Sequence, residues 1–315
     1  MCGITATFGY PIDETKLNKS LNNIKHRGPD GNGKWISQNE NIMFGHQRLS
    51  INDLSKNGQQ PMIDSETGIV LICNGEIYNY HSLKRTLQEK GHLFKSRSDS
   101  EVIIHAYKEW GEESFKKFDG IFAFILWNPL KKTSYIVRDH MGIKPIYYKQ
   151  DKEMLFVSSE LRGLKPFLKE IKIDQLSLAY LLSISHVPPP NSIIKDVKKI
   201  EPGSYLIYRS SGKIEEKKYW DLPTEDSNIA NISFEEVFEE TVKEQLLSDV
   251  PVSLFLSGGI DSSSIAVAAR NLKLEHLSVD FFNNKLNEID IAKGTSEILG
   301  KNFSKIKYEG ASSSF

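Results

Sequence analysis

The polar stretch from Asp221 to Asn231 separates two segments whose apolar residues follow different rules, and this change limits the fold more than any other feature of the chain. Before it, short apolar runs are separated by turn signals. Ile4 to Phe8 alternates, Gly28-Pro29-Asp30-Gly31 is a turn, and Ile69 to Cys73 is a continuous apolar run of the buried-strand type. Ile121 to Trp127 and Ser134 to Val137, separated by Asn128-Pro129, predict an antiparallel pair in a sheet-rich core. Helical spacing runs over Tyr80 to Gly91 and Asp99 to Trp110. One more helix is expected over Gln175 to Ile184, stopped by Pro188-Pro189-Pro190, and Ser204 to Tyr208 is the last strand. After the stretch, Phe234 to Ser248 predicts a helix, Val252 to Leu256 a strand, Asp261 to Leu272 a helix and His276 to Phe282 a strand. The first segment reads as a strand-dense α+β or layered domain, the second as a parallel α/β sheet. A chain of 315 residues has room for both cores.

A formal net charge of -1 argues against a nucleic-acid partner. No apolar run is long enough to span a bilayer, and no basic region followed by an apolar stretch marks a secretory signal, so a cytoplasmic location and no membrane partner are expected. Cys2 and Cys73 are too few for a disulfide framework or a cysteine-based metal site.

Cys2 carries a different kind of chemistry. If Met1 is removed, one residue holds a thiol nucleophile and a free α-amine. That amine titrates at about 7.7–8.0, so it is a usable base at neutral pH, whereas a free thiol at about 8.5 needs help to ionise. On position alone, Cys2 reads equally as a small side chain near a mobile terminus.

Ser257-Gly258-Gly259-Ile260-Asp261-Ser262-Ser263 lies between a predicted buried strand and a predicted helix. There, glycines let backbone approach an anion and a helix start offers unpaired N–H groups to phosphate. Asp261 would repel a bound phosphate unless a cation lay between them, which predicts magnesium. The spacing fits neither the P-loop nor the dinucleotide fingerprint. Alone, it also reads as a turn followed by a helix cap.

Cys2-Gly3-Ile4, His26-Arg27-Gly28-Pro29-Asp30-Gly31, Arg48-Leu49-Ser50-Ile51, Asn74-Gly75-Glu76-Ile77-Tyr78-Asn79, Ser98-Asp99 and Arg138 to Pro145 occur in order ahead of the Ser257 loop. Together they resemble the glutamine-hydrolysing asparagine synthetase family over nearly the whole chain. The resemblance implies an N-terminal-nucleophile hydrolase sandwich (αββα) of the class II glutamine amidotransferase type over residues 2–211 and a linker over 212–232. The N-terminal part of an adenine-nucleotide alpha-hydrolase-like ATP-pyrophosphatase domain would fill 233–315. Glutamine, aspartate and ATP would be its partners, with ATP and magnesium as cofactors. Ammonia released from glutamine would attack β-aspartyl-AMP and give asparagine.

The resemblance also implies roles. Cys2 would form a thioester with glutamine while the Asn74 amide and the Gly75 N–H hold the oxyanion. Arg48 would bind the α-carboxylate and Asp99 the α-ammonium, with Glu76 and the backbone around Ile51 completing the pocket. Leu256 and Val279 would hold adenine. Ser257, Gly258, Gly259, Asp261 and Ser262 would hold pyrophosphate, with Asp261 on the metal. Taken singly, Arg48 reads as a surface ion pair, Asn74-Gly75 as a turn and Asp99 as a helix N-cap. His26, His46 and His140 lack ligand spacing and are expected in supporting hydrogen bonds or in solvent, and Cys73 in the core.

The segment after the linker is shorter than the family's synthetase domain. Two strands and three helices of a parallel sheet would leave apolar faces uncovered, so a shortened, split or incompletely recorded synthetase half is expected. The alternatives are a stand-alone glutaminase, or a non-catalytic or regulatory subunit acting with a separate C-terminal synthetase polypeptide. A homodimer also remains open.

Overall fold

The computed structural model of the protein describes residues 1–222, 233–281 and 288–308. They belong to two compact units, Met1–Pro223 and Thr224–Phe315.

The strands of the first unit are β1 (Gly3–Phe8), β2 (Gly31–Ser37), β3 (Ile42–Arg48), β4 (Met62–Ile63), β5 (Val70–Ile77), β6 (Gly120–Asn128), β7 (Thr133–Arg138), β8 (Tyr147–Asp151), β9 (Met154–Ser158), β10 (Lys198–Lys199), β11 (Ser204–Arg209) and β12 (Ile214–Lys218). Its helices are α1 (Glu14–Asn23), α2 (Tyr80–Glu89), α3 (Glu101–Trp110), α4 (Leu161–Leu164) and α5 (Gln175–Ile184). The strands form two six-stranded sheets, ordered β10-β8-β9-β1-β3-β2 and β12-β11-β7-β6-β5-β4.

Period-two alternation decides what lies between them. Ile4, Ala6 and Phe8 of β1, Ile42 and Phe44 of β3, Val70 and Ile72 of β5, and Ile125 and Trp127 of β6 share one buried cluster between the sheets. The opposite residues of β5, Leu71 and Cys73, pack with Leu87 of α2 and with Val102, Ile103 and Ala106 of α3. On the outer face of the other sheet, Met43 meets Leu17 and Leu21 of α1. Helices therefore flank both sheets, and the layers run α, β, β, α.

Ile214–Lys218, expected within the linker, pairs with β11 from Ser204↔Lys218 to Tyr208↔Ile214. The Tyr219 hydroxyl then donates to the Arg138 carbonyl at 2.8 Å, so this unit runs past residue 211. The helix at Gln175–Ile184 has the expected bounds, with Asp174 capping it by accepting the Ser177 N–H at 2.8 Å.

In the second unit, α6 (Phe234–Glu244) starts at a capping box of Ser233 and Glu236. It is followed by β13 (Ser253–Phe255), α7 (Ile260–Ala268), β14 (Glu275–Phe281), α8 (Ile289–Ile298) and β15 (Phe303–Tyr308). The sheet is parallel and ordered β13-β14-β15. A third strand thus joins the two expected from the sequence. Leu256, Ala266 and Ala292 form the centre of its core. Residues 223–232, the C-terminal part of the expected linker, and Phe282 at the expected end of a strand lie outside the described residues. No helix among the described residues is long and apolar enough to cross a membrane.

Candidate functional site

Three strands continue their inward faces into polar residues at one end of the sandwich. Two residues before Ile4 stands Cys2, two after Ile72 stands Asn74, and four after Phe44 stands Arg48. Cys2, Arg48, Ile51, Asn74, Gly75, Glu76 and Asp99 line one cavity there, together with Met1, Gln60, Ser98 and Lys144.

Cys2 is held from its backbone. Arg27 Nε donates to the Cys2 carbonyl at 2.8 Å, and Arg27 Nη1 pairs with Glu160 at 3.0 Å. The Leu49 N–H donates to the Cys2 sulfur at 3.4 Å. Burial pushes the Cys2 thiol up, against the pull of the Leu49 N–H, and the same burial lowers the α-amine of Met1.

Asn74 is not in a turn: it sits within β5, 0 % exposed, with neither its Oδ1 nor its Nδ2 hydrogen-bonded. A buried amide is seldom left this way, because the lost hydration is not replaced. Gly75 follows it, and a Cβ here would lie 2.3 Å from the Ile121 carbonyl oxygen and 2.4 Å from Phe122 Cα of β6. Only glycine permits that approach of backbone to backbone.

Asp99 lies just before α3 rather than capping it. It is 4 % exposed, and its Oδ2 accepts the Ile77 N–H at 2.8 Å. Burial pushes its carboxyl up to about 6, with Glu76 adding to the shift and the Ile77 N–H opposing it. Burial also raises Glu76, while the charge of Lys144 works against it. Arg48 is buried, not a surface ion pair. Its Nη1 donates to the Ser55 carbonyl at 3.1 Å and its Nη2 to the Asp53 carbonyl. Two of its five N–H groups are thereby used to fix its plane.

Lys144 and Gln60 also line this cavity without having been singled out from sequence. Lys144 had a signal in the Arg138–Pro145 motif: Asp139 accepts the N–H groups of Ile143 and Lys144, each at 2.9 Å, and so shapes the loop that presents it. Of the histidines, His26 meets Glu160 at 3.0 Å and His46 meets the Cys73 carbonyl at 3.1 Å, while the His140 ring lies against Trp220. Cys73 is buried, and both cysteines are free.

In the second unit, Gly258 has φ of +77°, a left-handed conformation that glycine adopts without strain, and Gly259 stands at the N-cap of α7. Ser257 Oγ and Ser262 Oγ are 2.9 Å apart across the loop, and Asp261 is exposed in the first turn. The first N–H groups of α7 have no acceptor within the helix and can face an anion. Leu256 donates its N–H to the Leu277 carbonyl at 2.8 Å and accepts from Ser278 Oγ, so both its main-chain groups are already engaged. Val279 is half-buried on β14. No group of three or more His, Cys, Asp or Glu among the described residues could hold a metal ion. The loop fits a divalent cation with one protein carboxylate, Asp261, and phosphate oxygens for the rest.

Residues 1–220 match the glutamine amidotransferase domain family, and residues 233–310 match asparagine synthase. The chain belongs to the glutamine-hydrolysing asparagine synthetase family. Its amidotransferase unit has the N-terminal-nucleophile hydrolase fold. An asparagine synthetase [glutamine-hydrolyzing] 1 of Bacillus subtilis (strain 168) is 38% identical over 320 residues, covering 97% of this chain and 50% of the relative. A putative asparagine synthetase [glutamine-hydrolyzing] 2 of Methanocaldococcus jannaschii is 35% identical, covering 89% and 60%. The relatives also include an amidase, chry2, of Gibberella zeae, 36% identical over 84% of this chain and 42% of its own. The chain thus spans about half the length of the curated relatives it matches. Among solved structures, a glutamine phosphoribosylpyrophosphate amidotransferase from B. subtilis superposes with TM-score 0.53 at 18% identity, over 100% of this chain and 68% of that one. A second, described as the allosteric regulatory enzyme of purine biosynthesis, gives TM-score 0.54 at 17% identity over 100% and 67%. These two bear on the fold alone.

Proposed function

We propose that the first unit hydrolyses glutamine to glutamate and ammonia, with Cys2 as the nucleophile. The observation that carries this reading is the buried, unpartnered amide of Asn74 lining the same cavity as the Cys2 thiol. Once Met1 is removed, the α-amine of Cys2 takes the thiol proton, and the thiolate attacks the side-chain amide carbon of glutamine. The oxyanion that forms accepts from Asn74 Nδ2 and the Gly75 N–H, a stabilisation of about 2.7–4 kcal/mol per donor. Collapse of this intermediate expels ammonia, which takes up the proton, and water then cleaves the thioester to glutamate. The free N–H groups of Arg48 bind the substrate α-carboxylate, and Asp99 with Glu76 binds its α-ammonium.

We extend the proposal to the second unit by the similarity to asparagine synthetases. Ammonia would be passed to an aspartate activated by ATP as β-aspartyl-AMP, giving asparagine, AMP and pyrophosphate. Ser257, Gly258, Gly259 and Ser262 would hold the phosphates, and Leu256 and Val279 would flank adenine. Asp261 would hold magnesium, which neutralises phosphate charge when bound. A cytoplasmic location fits this chemistry.

The test is ammonia release from glutamine by the wild type and by Cys2→Ala, with thermal unfolding of both. Loss of release with unfolding unchanged is expected. Wild-type release by Cys2→Ala overturns the role of Cys2.

A further inference from the structure

In a strand, alternate residues turn their N–H and C=O groups to the same edge. In β5 the Ile69 side of this alternation faces β4, because the Ile69 carbonyl accepts the Asp64 N–H at 2.9 Å. β4 pairs only with Val70 and Leu71, so among the described residues no strand lies beside the edge presented by Cys73, Gly75 and Ile77. Side chains take that strand's place. The Cys73 N–H donates to Gln60 Oε1 at 2.5 Å, the Cys73 carbonyl accepts from His46 Nε2 at 3.1 Å, and the Ile77 N–H donates to Asp99. Gly75, between them, turns its N–H to the same edge, where the cavity lies.

His46 belongs to β3, directly opposite Ile4 of β1, and therefore to the sheet that carries Cys2. Its bond to Cys73 crosses to the other sheet and ends one residue before Asn74. A carbonyl oxygen only accepts, so the proton is on Nε2. The ring is 0 % exposed and its Nδ1 has no partner. Burial holds its pKa down at about 4, so the ring is neutral wherever the enzyme works. An apolar side chain would fill this space without stranding a nitrogen, which argues that the residue is kept for the bond its other nitrogen makes.

We propose that His46 and Gln60 are positioning residues of glutamine hydrolysis: by binding both main-chain groups of Cys73 they replace a neighbouring strand and set the aim of the Asn74 amide and Gly75 N–H towards the Cys2 sulfur. The proposal rests on the glutaminase reading above. Neither side chain is given a bond to substrate. Their effect runs through the backbone of β5.

The test uses the full chain carrying His46→Leu, His46→Gln or Gln60→Met. Glutaminase kcat and KM are measured alongside the rate at which iodoacetamide alkylates Cys2. Alkylation forms a C–S bond and expels iodide without any carbonyl oxyanion, so it reports the thiolate alone. His46→Leu and Gln60→Met are expected to lower kcat about 10- to 100-fold, the size of effect that misplacing a reacting geometry produces. KM and the alkylation rate should stay within about threefold. His46→Gln, which keeps an N–H donor near the Nε2 position, should recover most of the loss. If His46→Leu does not fold, Gln60→Met decides alone. An unchanged kcat in a folded variant overturns the proposal, as does an alkylation rate that falls in step with kcat. Wild-type hydrolysis by Cys2→Ala would instead remove the nucleophile and with it the reaction that these residues position.

Discussion

Asp99 Oδ2 and the Ile77 N–H lie 2.8 Å apart, so the carboxylate lining the cavity also closes the open edge of β5. That bond fixes the acid in a place where burial opposes its charge and pushes its pKa up to about 6. A carboxylate poised there loses its charge within the range where enzymes are easily assayed.

The pH dependence of glutamine use should follow that titration. In the proposed role Asp99 would bind the substrate ammonium only when ionised, so kcat/KM for glutamine should fall below pH 6 at about tenfold per pH unit. Asp99→Asn should give a lower value without that break, whereas Glu76→Gln should keep a break but move it to lower pH, because the charge of Glu76 adds to the rise of Asp99. A break at pH 6 that survives in Asp99→Asn would assign the titration to another group.

Stability should move the opposite way. The folded pKa of Asp99 lies above its unfolded value of 3.8, so its charged form is disfavoured by folding. The cost is complete above pH 6, shrinks as pH falls from 6 towards 4, and is gone below both values. Asp99→Asn should therefore stabilise the first unit at pH 8 by roughly 2–3 kcal/mol and leave it unchanged at pH 3.5. Thermal unfolding at the two pH values measures this. Equal shifts at both would mean that charge burial is not the cause.

Asn74→Leu should show the same opposition between stability and activity. The leucine has a similar shape and removes two buried polar atoms that have no partner. Unfolding free energy should rise by about 1–3 kcal/mol while kcat for glutamine falls about 10²- to 10³-fold. Denaturant unfolding and an ammonia assay on the same preparation check both halves.

Strands β1, β5, β6, β7, β11, β13 and β14 were legible from their apolar runs, whereas Asn74 and Arg48 were named only through the family resemblance, since singly they read as a turn and a surface ion pair. β12 and β15, like β2, β3, β8 and β9, were not. Ile214–Lys218 and Phe303–Tyr308 carry several charged residues, which is how edge strands avoid pairing with other chains, and in sequence they resemble a linker and a polar tail. Gln60 reaches the cavity from a loop, and His46 acts across the space between two sheets. Neither position follows from spacing along the chain, since each depends on tertiary pairing.

The Ser257 loop offers the last prediction. Asp261 is exposed in the first turn of α7, and a divalent cation held between it and phosphate would make nucleotide binding depend on both. Asp261→Asn should weaken ATP binding in the presence of magnesium at least about tenfold, and in EDTA, where the carboxylate faces phosphate with no cation between them, it should not weaken binding, measured by calorimetry on the full chain. The same substitution removes a negative charge from a helix start, where it contributes about 0.3–1 kcal/mol, so a melting temperature close to that of the wild type separates loss of binding from loss of fold. If no metal lies between Asp261 and phosphate, Asp261→Asn would tighten binding with magnesium present as well as in EDTA. That outcome would remove the cation from this loop.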